Sequence, residues 1–315
     1  RNVSKRFTKR LDAIEKLARS LGAAVAEHTV RAVDNVSFEV AQGEAVGLVG
    51  ESGCGKSTLG RLAAGLLEPS GGEVLYRGAP PAGTRRPQMI FQDPFASLNP
   101  RMRVEDIIGE APWVHGLIKK EELGTYVNDL LRRVGLDPSY RRRYPHQFSG
   151  GQRARIGIAR ALAVKPDFLV CDEAVAALDV SIQAQVLNLF SELREALSLT
   201  YLFISHDLGV VRYLSDRVVV MYLGRVVEIA PAAELYAAPN HPYTQALLAE
   251  VPRVERKRRA YAPIRGEIPS PLAPPSGCHF HPRCPHAMPR CSAEAPALRE
   301  IAPQRVSACH LNDQA

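Results

Sequence analysis

A glycine-rich run between residues 50 and 58 carries one lysine and three hydroxyl side chains at a spacing that suits phosphate binding. Glycines let the backbone turn tightly enough to aim several N–H groups at phosphate oxygens, and a following helix adds the positive end of its dipole. In the spacing G-x-x-x-x-G-K-S, the lysine reaches the outer phosphates and the serine hydroxyl coordinates Mg²⁺. The sequence therefore predicts a nucleotide phosphate site formed by Gly50, Glu51, Ser52, Gly53, Cys54, Gly55, Lys56, Ser57 and Thr58.

Two adjacent carboxylates, Asp172 and Glu173, follow the apolar run Phe168–Cys171. Because a strand points successive side chains to opposite faces, the two carboxylates are expected to have different roles. We expect Asp172 to hold Mg²⁺ through water and Glu173 to polarise a water for attack on the terminal phosphate. An Asp-Glu pair after a strand is more often a surface cap, but its place downstream of a phosphate loop favours catalysis.

Strands and helices alternate around these residues and must position them. The strand Ala45–Val49 precedes the phosphate loop and a helical stretch, Leu59–Leu67, follows it. After Phe168–Cys171 comes a helix with one apolar stripe, and then the strand Tyr201–Ile204. Continuous apolar strands that alternate with helices indicate an α/β fold with a parallel sheet covered on both faces.

The two ends of the chain differ from this alternating middle. Residues 1–28 predict a frayed beginning followed by a helix. The chain starts with Arg1 rather than methionine, which is typical of a trimmed chain or of a piece of a longer one. Proline becomes frequent past residue 239 and the periodicity fades. We therefore expect one domain over residues 1–239, with a helical region at about 93–164, and an extension over residues 240–315.

A second glycine-rich run, Phe148–Arg153, also opens a helical stretch. Since the first loop already binds the phosphates of the nucleotide, we expect this second loop to bind another phosphate. At this point the sequence resembles the ATP-binding cassette (ABC) family, whose signature loop matches Ser149, Gly150, Gly151 and Gln152. Further family markers match in the same order along the chain, namely Gln92 of the Q-loop, Asp179 of the D-loop and the switch histidine His206.

The resemblance implies a P-loop ATPase fold: a RecA-like mixed sheet, an antiparallel β subdomain and an inserted helical signature subdomain. In this family two domains sandwich two ATP molecules head to tail, and the signature loop of one subunit faces the γ-phosphate held by the other. The resemblance also implies that Gln92 contacts Mg²⁺, that Gln92 and His206 assist Glu173, and that Phe7 stacks on adenine. For Phe7, a buried position in the core is the alternative.

Several phrases resemble the oligopeptide/dipeptide and nickel importer branch of the family, in particular its second ATPase subunit. They lie at residues 92–102, 144–149, 178–183, 241–248 and 266–271. The resemblance implies an ATPase that pairs with a second ATPase subunit beneath two permease subunits, indirectly served by a solute-binding protein. It implies a peripheral position on the cytoplasmic face of the inner (plasma) membrane and no nucleic-acid partner. The cargo would be peptides, with nickel or another small solute as the alternative.

The chain departs from that branch at two positions close to Glu173. The branch usually has proline after the Asp-Glu pair and serine before Ala-Leu-Asp, where this chain has Ala174 and Ala176. Loss of proline makes the loop less rigid. We therefore expect the departure to affect coupling across the dimer rather than nucleotide binding.

Four of the six cysteines, Cys278, Cys284, Cys291 and Cys309, crowd the end of the chain. In a cytosolic protein such crowding favours metal over disulfides. Their spacings are wider than those of structural zinc sites, and four thiolates satisfy a [4Fe–4S] cluster. Related peptide importers carry such a cluster in this tail, so the resemblance implies one here. Zinc, which could draw in His279, His281 or His310, and free thiols are the alternatives.

Composition limits the remaining possibilities. The chain has 315 residues, of which 46% are hydrophobic and 23% charged, so it can bury a sizeable core. No run approaches the roughly 20 apolar residues that cross a bilayer, and no signal segment is visible, which predicts a cytosolic chain.

The net charge of +7 suits an anionic partner, so a soluble cassette ATPase acting on nucleic acid or ribosomes is the second functional hypothesis. Members of that class typically carry two cassettes or a coiled-coil arm, and the interval from Lys56 to Ser149 is too short for such an arm. A degenerate cassette that serves only as a scaffold is the third. The intact Lys56, Asp172, Glu173 and His206 argue against it.

Overall fold

The computed structural model describes residues 1–9, 28–76, 87–93, 97–250 and 266–314. The strands are β1 (Val3–Lys9), β2 (His28–Val36), β3 (Ala45–Val49), β4 (Gln88–Ile90), β5 (Phe168–Asp172), β6 (Thr200–Ile204), β7 (Arg217–Tyr222), β8 (Arg225–Pro231), β9 (Arg299–Ala302) and β10 (Arg305–Ser307). The α-helices are α1 (Lys56–Ala63), α2 (Val104–Val114), α3 (Leu123–Arg133), α4 (Gly150–Leu162), α5 (Val180–Leu197), α6 (Leu208–Leu214), α7 (Ala232–Ala237), α8 (Pro242–Ala249) and α9 (Pro289–Ala293).

One eight-stranded sheet, in the order β4-β5-β6-β3-β7-β8-β10-β9, forms the centre of the molecule. Strands β4, β5, β6, β3 and β7 run parallel, whereas β8, β10 and β9 are antiparallel to their neighbours. Alternate residues of β5 enter two different core clusters, Leu169 and Cys171 on one side and Val170 on the other. Both faces are therefore covered, which explains the continuous apolar strands and confirms the predicted mixed α/β fold.

The first nine residues do not fray, so that prediction is wrong. Residues 3–9 form β1, which pairs antiparallel with β2, with Phe7 opposite Val30. The strand is held because Val3, Val33 and Val36 are buried in the core around α1. This pair forms a separate two-stranded sheet. The helix predicted next along the chain falls at residues 10–27, outside the described residues.

Helices α2, α3 and α4 occupy most of the chain between β4 and β5. Their apolar faces meet at Ile108, Leu131 and Ile156, none of which has measurable exposure. Short 3₁₀ turns join the helices, at Lys120–Glu122, Pro138–Arg142 and Pro145–Gln147. Within the described part of the chain, no helix combines the length and the hydropathy that a bilayer crossing needs.

The C-terminal segment, defined here as the described residues 240–250 and 266–314, packs on the central sheet. Strands β10 and β9 extend the sheet beyond β8. Tyr243 of α8 and Phe280 pack against Tyr222 of β7, with ring centroids 4.7 and 5.3 Å from that of Tyr222. The segment therefore shares its hydrophobic core with the sheet. The division of the chain into a domain and an extension at residue 240 stays a prediction.

Candidate functional site

The glycine-rich loop runs from the end of β3 to the start of α1, as the sequence predicts. Gly55 has φ of 105°, and a Cβ there would lie 2.0 Å from the carbonyl oxygen of Ala32. Gly50 is similarly confined, because a Cβ there would lie 2.2 Å from the carbonyl oxygen of Met221. Only glycine fits at these two positions, so the turn that exposes the loop's N–H groups depends on them.

Lys56 opens α1 and folds back over the loop. It is 5% exposed, and its Nζ donates hydrogen bonds to the carbonyl oxygens of Gly50 at 2.7 Å and Glu51 at 3.0 Å. The helix start at Gly55 has no side-chain cap. Its backbone N–H groups and the lysine ammonium thus provide a positive site for an anion.

The other residues of the loop differ in exposure. Ser52 and Gly53 are exposed, whereas Cys54 is 3% exposed, and burial raises the pKa of its thiol. Ser57 and Thr58 lie in the first turn of α1 and are partly buried. The backbone N–H of Glu51 donates to Tyr243 Oη at 2.8 Å, so it is not directed at a nucleotide.

Asp172, the last residue of β5, meets the loop at Ser57. Ser57 Oγ donates a hydrogen bond of 2.9 Å to Asp172 Oδ1. Burial raises the pKa of Asp172, and this effect exceeds that of the Ser57 hydrogen bond, which lowers it. A hydroxyl and a carboxylate oxygen at this distance form the kind of oxygen pair that a hard cation such as Mg²⁺ prefers.

Glu173 is the meeting point of the predicted catalytic residues. Gln92 Nε2 donates to Glu173 Oε2 at 2.7 Å, and His206 Nδ1 lies 3.3 Å from Glu173 Oε1. Glu173 has φ of 49°, a left-handed conformation that is uncommon outside glycine, and its N–H donates to the carbonyl oxygen of Ile204 at 3.0 Å. Non-glycine residues with a left-handed backbone conformation cluster at functional sites. The structure thus brings Gln92, Glu173 and His206 together from three separate segments.

The second glycine-rich loop begins α4 in the helical region. Ser149 caps the helix: its Oγ accepts from Gln152 N at 3.3 Å, and Gln152 Oε1 accepts from Ser149 N at 3.1 Å. A Cβ on Gly151 would lie 2.4 Å from Ile182 of α5, and one on Gly150 would lie 3.7 Å from Leu178. The loop therefore packs beside the segment that contains the exposed Asp179 at the start of α5.

Phe7 lies on β1 and is 43% exposed, which does not fit the alternative that it is a core residue. The Lys5 ammonium lies 5.5 Å from the centre of its ring. An exposed aromatic face of this kind is available for stacking on a planar ligand.

The four C-terminal cysteines line one small cavity together with His241, Phe280 and His310. All six cysteines of the chain are free. Burial, followed by smaller effects that include the other three cysteines, raises the pKa of Cys278 to about 11. Across the described ranges, no group of three or more His, Cys, Asp or Glu side chains is arranged to hold a metal ion. A metal at these cysteines therefore stays a prediction.

Sequence reasoning missed the contact between the phosphate loop and the C-terminal segment. Arg283 makes a bidentate ion pair with Glu51, with Nη1–Oε2 and Nη2–Oε1 distances of 2.7 and 2.9 Å. The two residues are 232 positions apart. A lone arginine and a lone glutamate at such a separation give no signal in a single sequence.

Comparison with known proteins identifies similar proteins over nearly the whole chain. Residues 33–176 match the ABC transporter family, and residues 227–291 match the oligopeptide/dipeptide transporter C-terminal region. The putative oligopeptide transport ATP-binding protein YkfD of Bacillus subtilis is 52% identical over 90% of this chain and 91% of its own length. The oligopeptide transport ATP-binding protein AppF of the same species is 53% identical, with 90% of each chain covered.

Solved structures give the same picture of the fold. The chain is similar to cbiO1 of Clostridium perfringens, part of the ABC transporter complex cbiONQ, with 28% identity, a TM-score of 0.59 and coverage of 66% of this chain and 85% of the other. It is also similar to a dimeric ATP-binding cassette in a post-hydrolysis state bound to ADP and Pi. That match has 25% identity, a TM-score of 0.60 and coverage of 73% and 97%.

Proposed function

Because this chain belongs to the ABC transporter ATPases that carry the oligopeptide/dipeptide transporter C-terminal region, we propose that it is the ATP-hydrolysing subunit of a peptide importer. The observation that carries the proposal is the convergence of Gln92 and His206 on Glu173, next to the Ser57–Asp172 pair. The relatives that are half identical to this chain are named as oligopeptide transport ATP-binding proteins, which supports peptides as the cargo.

Within the site, the phosphate loop and Lys56 bind the phosphates of ATP, and Phe7 stacks on the adenine. Ser57 and Asp172 would hold Mg²⁺, with Gln92 as a further oxygen donor. Mg²⁺ supplies charge neutralisation of the outer phosphates when it is bound. The fit of this set to the ion is supported by the 2.9 Å contact between the Ser57 hydroxyl and the Asp172 carboxylate.

Glu173 acts on the attacking water. Its carboxylate accepts a hydrogen bond from the Gln92 amide and faces the His206 ring, which together restrict its rotation. A carboxylate held in this way orients the water in line with the γ-phosphate and draws its proton. Positioning of this kind carries most of the catalysis in phosphoryl transfer.

Hydrolysis takes place in a head-to-tail dimer with a partner ATPase. Ser149, Gly150, Gly151 and Gln152 complete the partner's nucleotide site, and Asp179 lies at the same interface. The exposure of Ser149 and Asp179, together with the similar dimeric cassette, supports this arrangement. A site divided between two subunits hydrolyses ATP only after closure, so nucleotide binding can drive movement.

The ATPase pair works peripherally on the cytoplasmic face of the membrane, beneath two permease subunits that receive cargo from a solute-binding protein. Three exposed apolar side chains at the end of α2 and just after it support a protein contact in the helical region: Trp113 at 46%, Val114 at 66% and Leu117 at 37% exposure. We propose the division suggested by the sequence, an ATPase domain over 1–239 and an extension over 240–315.

Replacement of Glu173 by glutamine tests the proposed reaction. The amide keeps the shape but cannot take the proton of the water, so we expect ATP hydrolysis to fall by roughly 100-fold or more in the reconstituted transporter while ATP binding persists. The matched control is Glu192→Gln, a change of the same type on α5 outside the site. Unchanged hydrolysis in Glu173→Gln contradicts the role of Glu173, and stimulation of the wild-type ATPase by RNA rather than by peptide contradicts the importer.

We also propose that Cys278, Cys284, Cys291 and Cys309 hold a [4Fe–4S] cluster. Their convergence on one cavity supports four thiolate ligands. Such a cluster links separate parts of the C-terminal segment and so stabilises it.

The cluster is tested by purification without oxygen, followed by iron and sulfide analysis and a visible absorption spectrum. We expect a brown protein with about four irons per chain, and loss of colour in Cys284→Ser. The matched control is Cys171→Ser, which should keep the colour because Cys171 is buried in the central sheet. A colourless protein that contains zinc, or no metal, contradicts the cluster.

A further inference from the structure

The phosphate loop contains a carboxylate, which is an unexpected group in an anion-binding loop. Glu51 lies directly after Gly50, and its side chain is 17% exposed. A negative charge next to the phosphates of ATP opposes their binding, and the effect is strong where burial reduces screening by water. This carboxylate must therefore be neutralised if the loop is to bind ATP well.

Arg283 supplies the neutralising charge from the C-terminal segment. Both of its terminal nitrogens bind the Glu51 carboxylate, and Nη1 also donates to Tyr222 Oη at 3.3 Å. Its side chain is only 5% exposed. A bidentate pair in this setting is fixed in geometry, and the hydrogen bonds that the guanidinium donates to Glu51 raise the pKa of Arg283, so it stays charged.

The C-terminal segment also binds the backbone of the phosphate loop, again at Glu51. Tyr243 of α8 accepts a hydrogen bond from the Glu51 N–H at 2.8 Å. Arg283 lies in the 3₁₀ turn His281–Arg283, directly before Cys284. Tyr243 in turn packs against Phe280, with ring centroids 5.4 Å apart. The side chain and the backbone of Glu51 are thus both bound by residues that follow position 240.

We infer that Arg283 is a positioning residue for the nucleotide site: it neutralises Glu51, so the C-terminal segment sets the charge of the phosphate loop and with it the affinity for ATP. The inference rests on the proposed function, since it concerns regulation of the same site. It also links the cysteine-lined cavity to the ATPase, because any change that moves the turn before Cys284 moves Arg283 away from Glu51.

A charge series tests the inference. The probe is TNP-ATP, a fluorescent ATP analogue, titrated against the full chain carrying Arg283→Met, Glu51→Gln or both. We expect Arg283→Met, which leaves the carboxylate unpaired, to bind about tenfold more weakly. Glu51→Gln, which removes the negative charge and keeps the arginine, should bind more tightly than the wild type. The double variant should return close to the wild-type affinity, and Arg283→Lys should stay close to it as well.

If the Arg283–Glu51 pair only held the loop in its shape, the affinities would follow a different order, because loss of either residue would weaken the binding of TNP-ATP. Weaker binding in both single variants therefore overturns the inference, as does equal affinity across the series. Raised salt should shrink the differences, since it screens charge but not packing. If Arg283→Met does not fold, Glu51→Gln and Arg283→Lys still decide the outcome. Failure of the wild type to bind TNP-ATP counts against the proposed function instead.

Discussion

The nucleotide site and the C-terminal segment lie on the same sheet but are fixed in different ways. In the nucleotide site, the register pairs Leu48 of β3 with Ile204 of β6, and Ile204 with Asp172 of β5. The three parallel strands therefore end side by side at the same edge of the sheet. The backbone of the sheet therefore places the phosphate loop, Glu173 and His206 side by side. Between residues 266 and 293 the C-terminal segment has only short helical turns, and this part of the segment is attached through side chains such as Phe280 and Arg283.

This difference predicts how each region responds to change. A site fixed by strand register should tolerate the loss of single side chains but not a shift of its backbone. A segment fixed by a few buried anchors should be sensitive to the loss of any one of them.

Loss of an anchor should have the largest effect. Phe280 is 2% exposed and packs against Tyr222, Tyr243 and His241. Phe280→Ala leaves a cavity between the segment and the sheet, so we expect the free energy of unfolding to fall by about 3–5 kcal/mol. Denaturant unfolding of the full chain measures the change.

The matched control for this variant is Leu272→Ala in the same segment. Leu272 is 49% exposed, so its truncation should change the stability by less than about 0.5 kcal/mol. Equal losses in the two variants would contradict the view that a few anchors hold the segment.

A backbone change in the phosphate loop should come next in size. In Gly55→Ala the new methyl group meets the Ala32 carbonyl at 2.0 Å, at a φ that alanine rarely adopts. Strain of this kind costs about 1–3 kcal/mol and the clash adds to it, so we expect affinity for ATP to fall roughly 100-fold. Equilibrium titration with ATP measures the loss.

Gly53→Ala separates the clash from the strain. Gly53 has φ of 77°, but a Cβ there meets nothing within 4 Å. Only the strain remains, so we expect a loss of about 1 kcal/mol, or roughly fivefold in affinity. If Gly53→Ala weakened binding as much as Gly55→Ala, close packing of the loop against Ala32 would not be what fixes it.

The same difference explains which features the sequence could predict. The phosphate loop and the Asp172–Glu173 pair are contiguous motifs at strand ends, and parallel strands bring their carboxyl ends to one edge of a sheet. The resemblance to the ABC family added Gln92 and His206, which the structure places on Glu173. These predictions needed only local patterns and the strand order of the family.

Features that depend on distant pairing were not predicted. The strand β1 is one of them, because its apolar residues are few and its partner β2 lies beyond residues 10–27. The addition of β10 and β9 to the central sheet and the Arg283–Glu51 pair also join residues far apart in the chain. Such contacts depend on the three-dimensional course of the chain, which hydrophobic periodicity does not encode.

Replacement of Phe7 should have the smallest effect, and it directly tests the comparison with Phe280. The two residues are of one type, but Phe7 is 43% exposed and Phe280 is 2% exposed. Phe7→Ala should leave the free energy of unfolding within about 0.5 kcal/mol of the wild type, because little packing is lost. Loss of stacking on adenine should weaken ATP binding by about 1 kcal/mol, or roughly fivefold, and Phe7→Tyr should restore it. If Phe7→Ala instead destabilised the fold and bound ATP normally, Phe7 would be an anchor of β1 and not part of the nucleotide site.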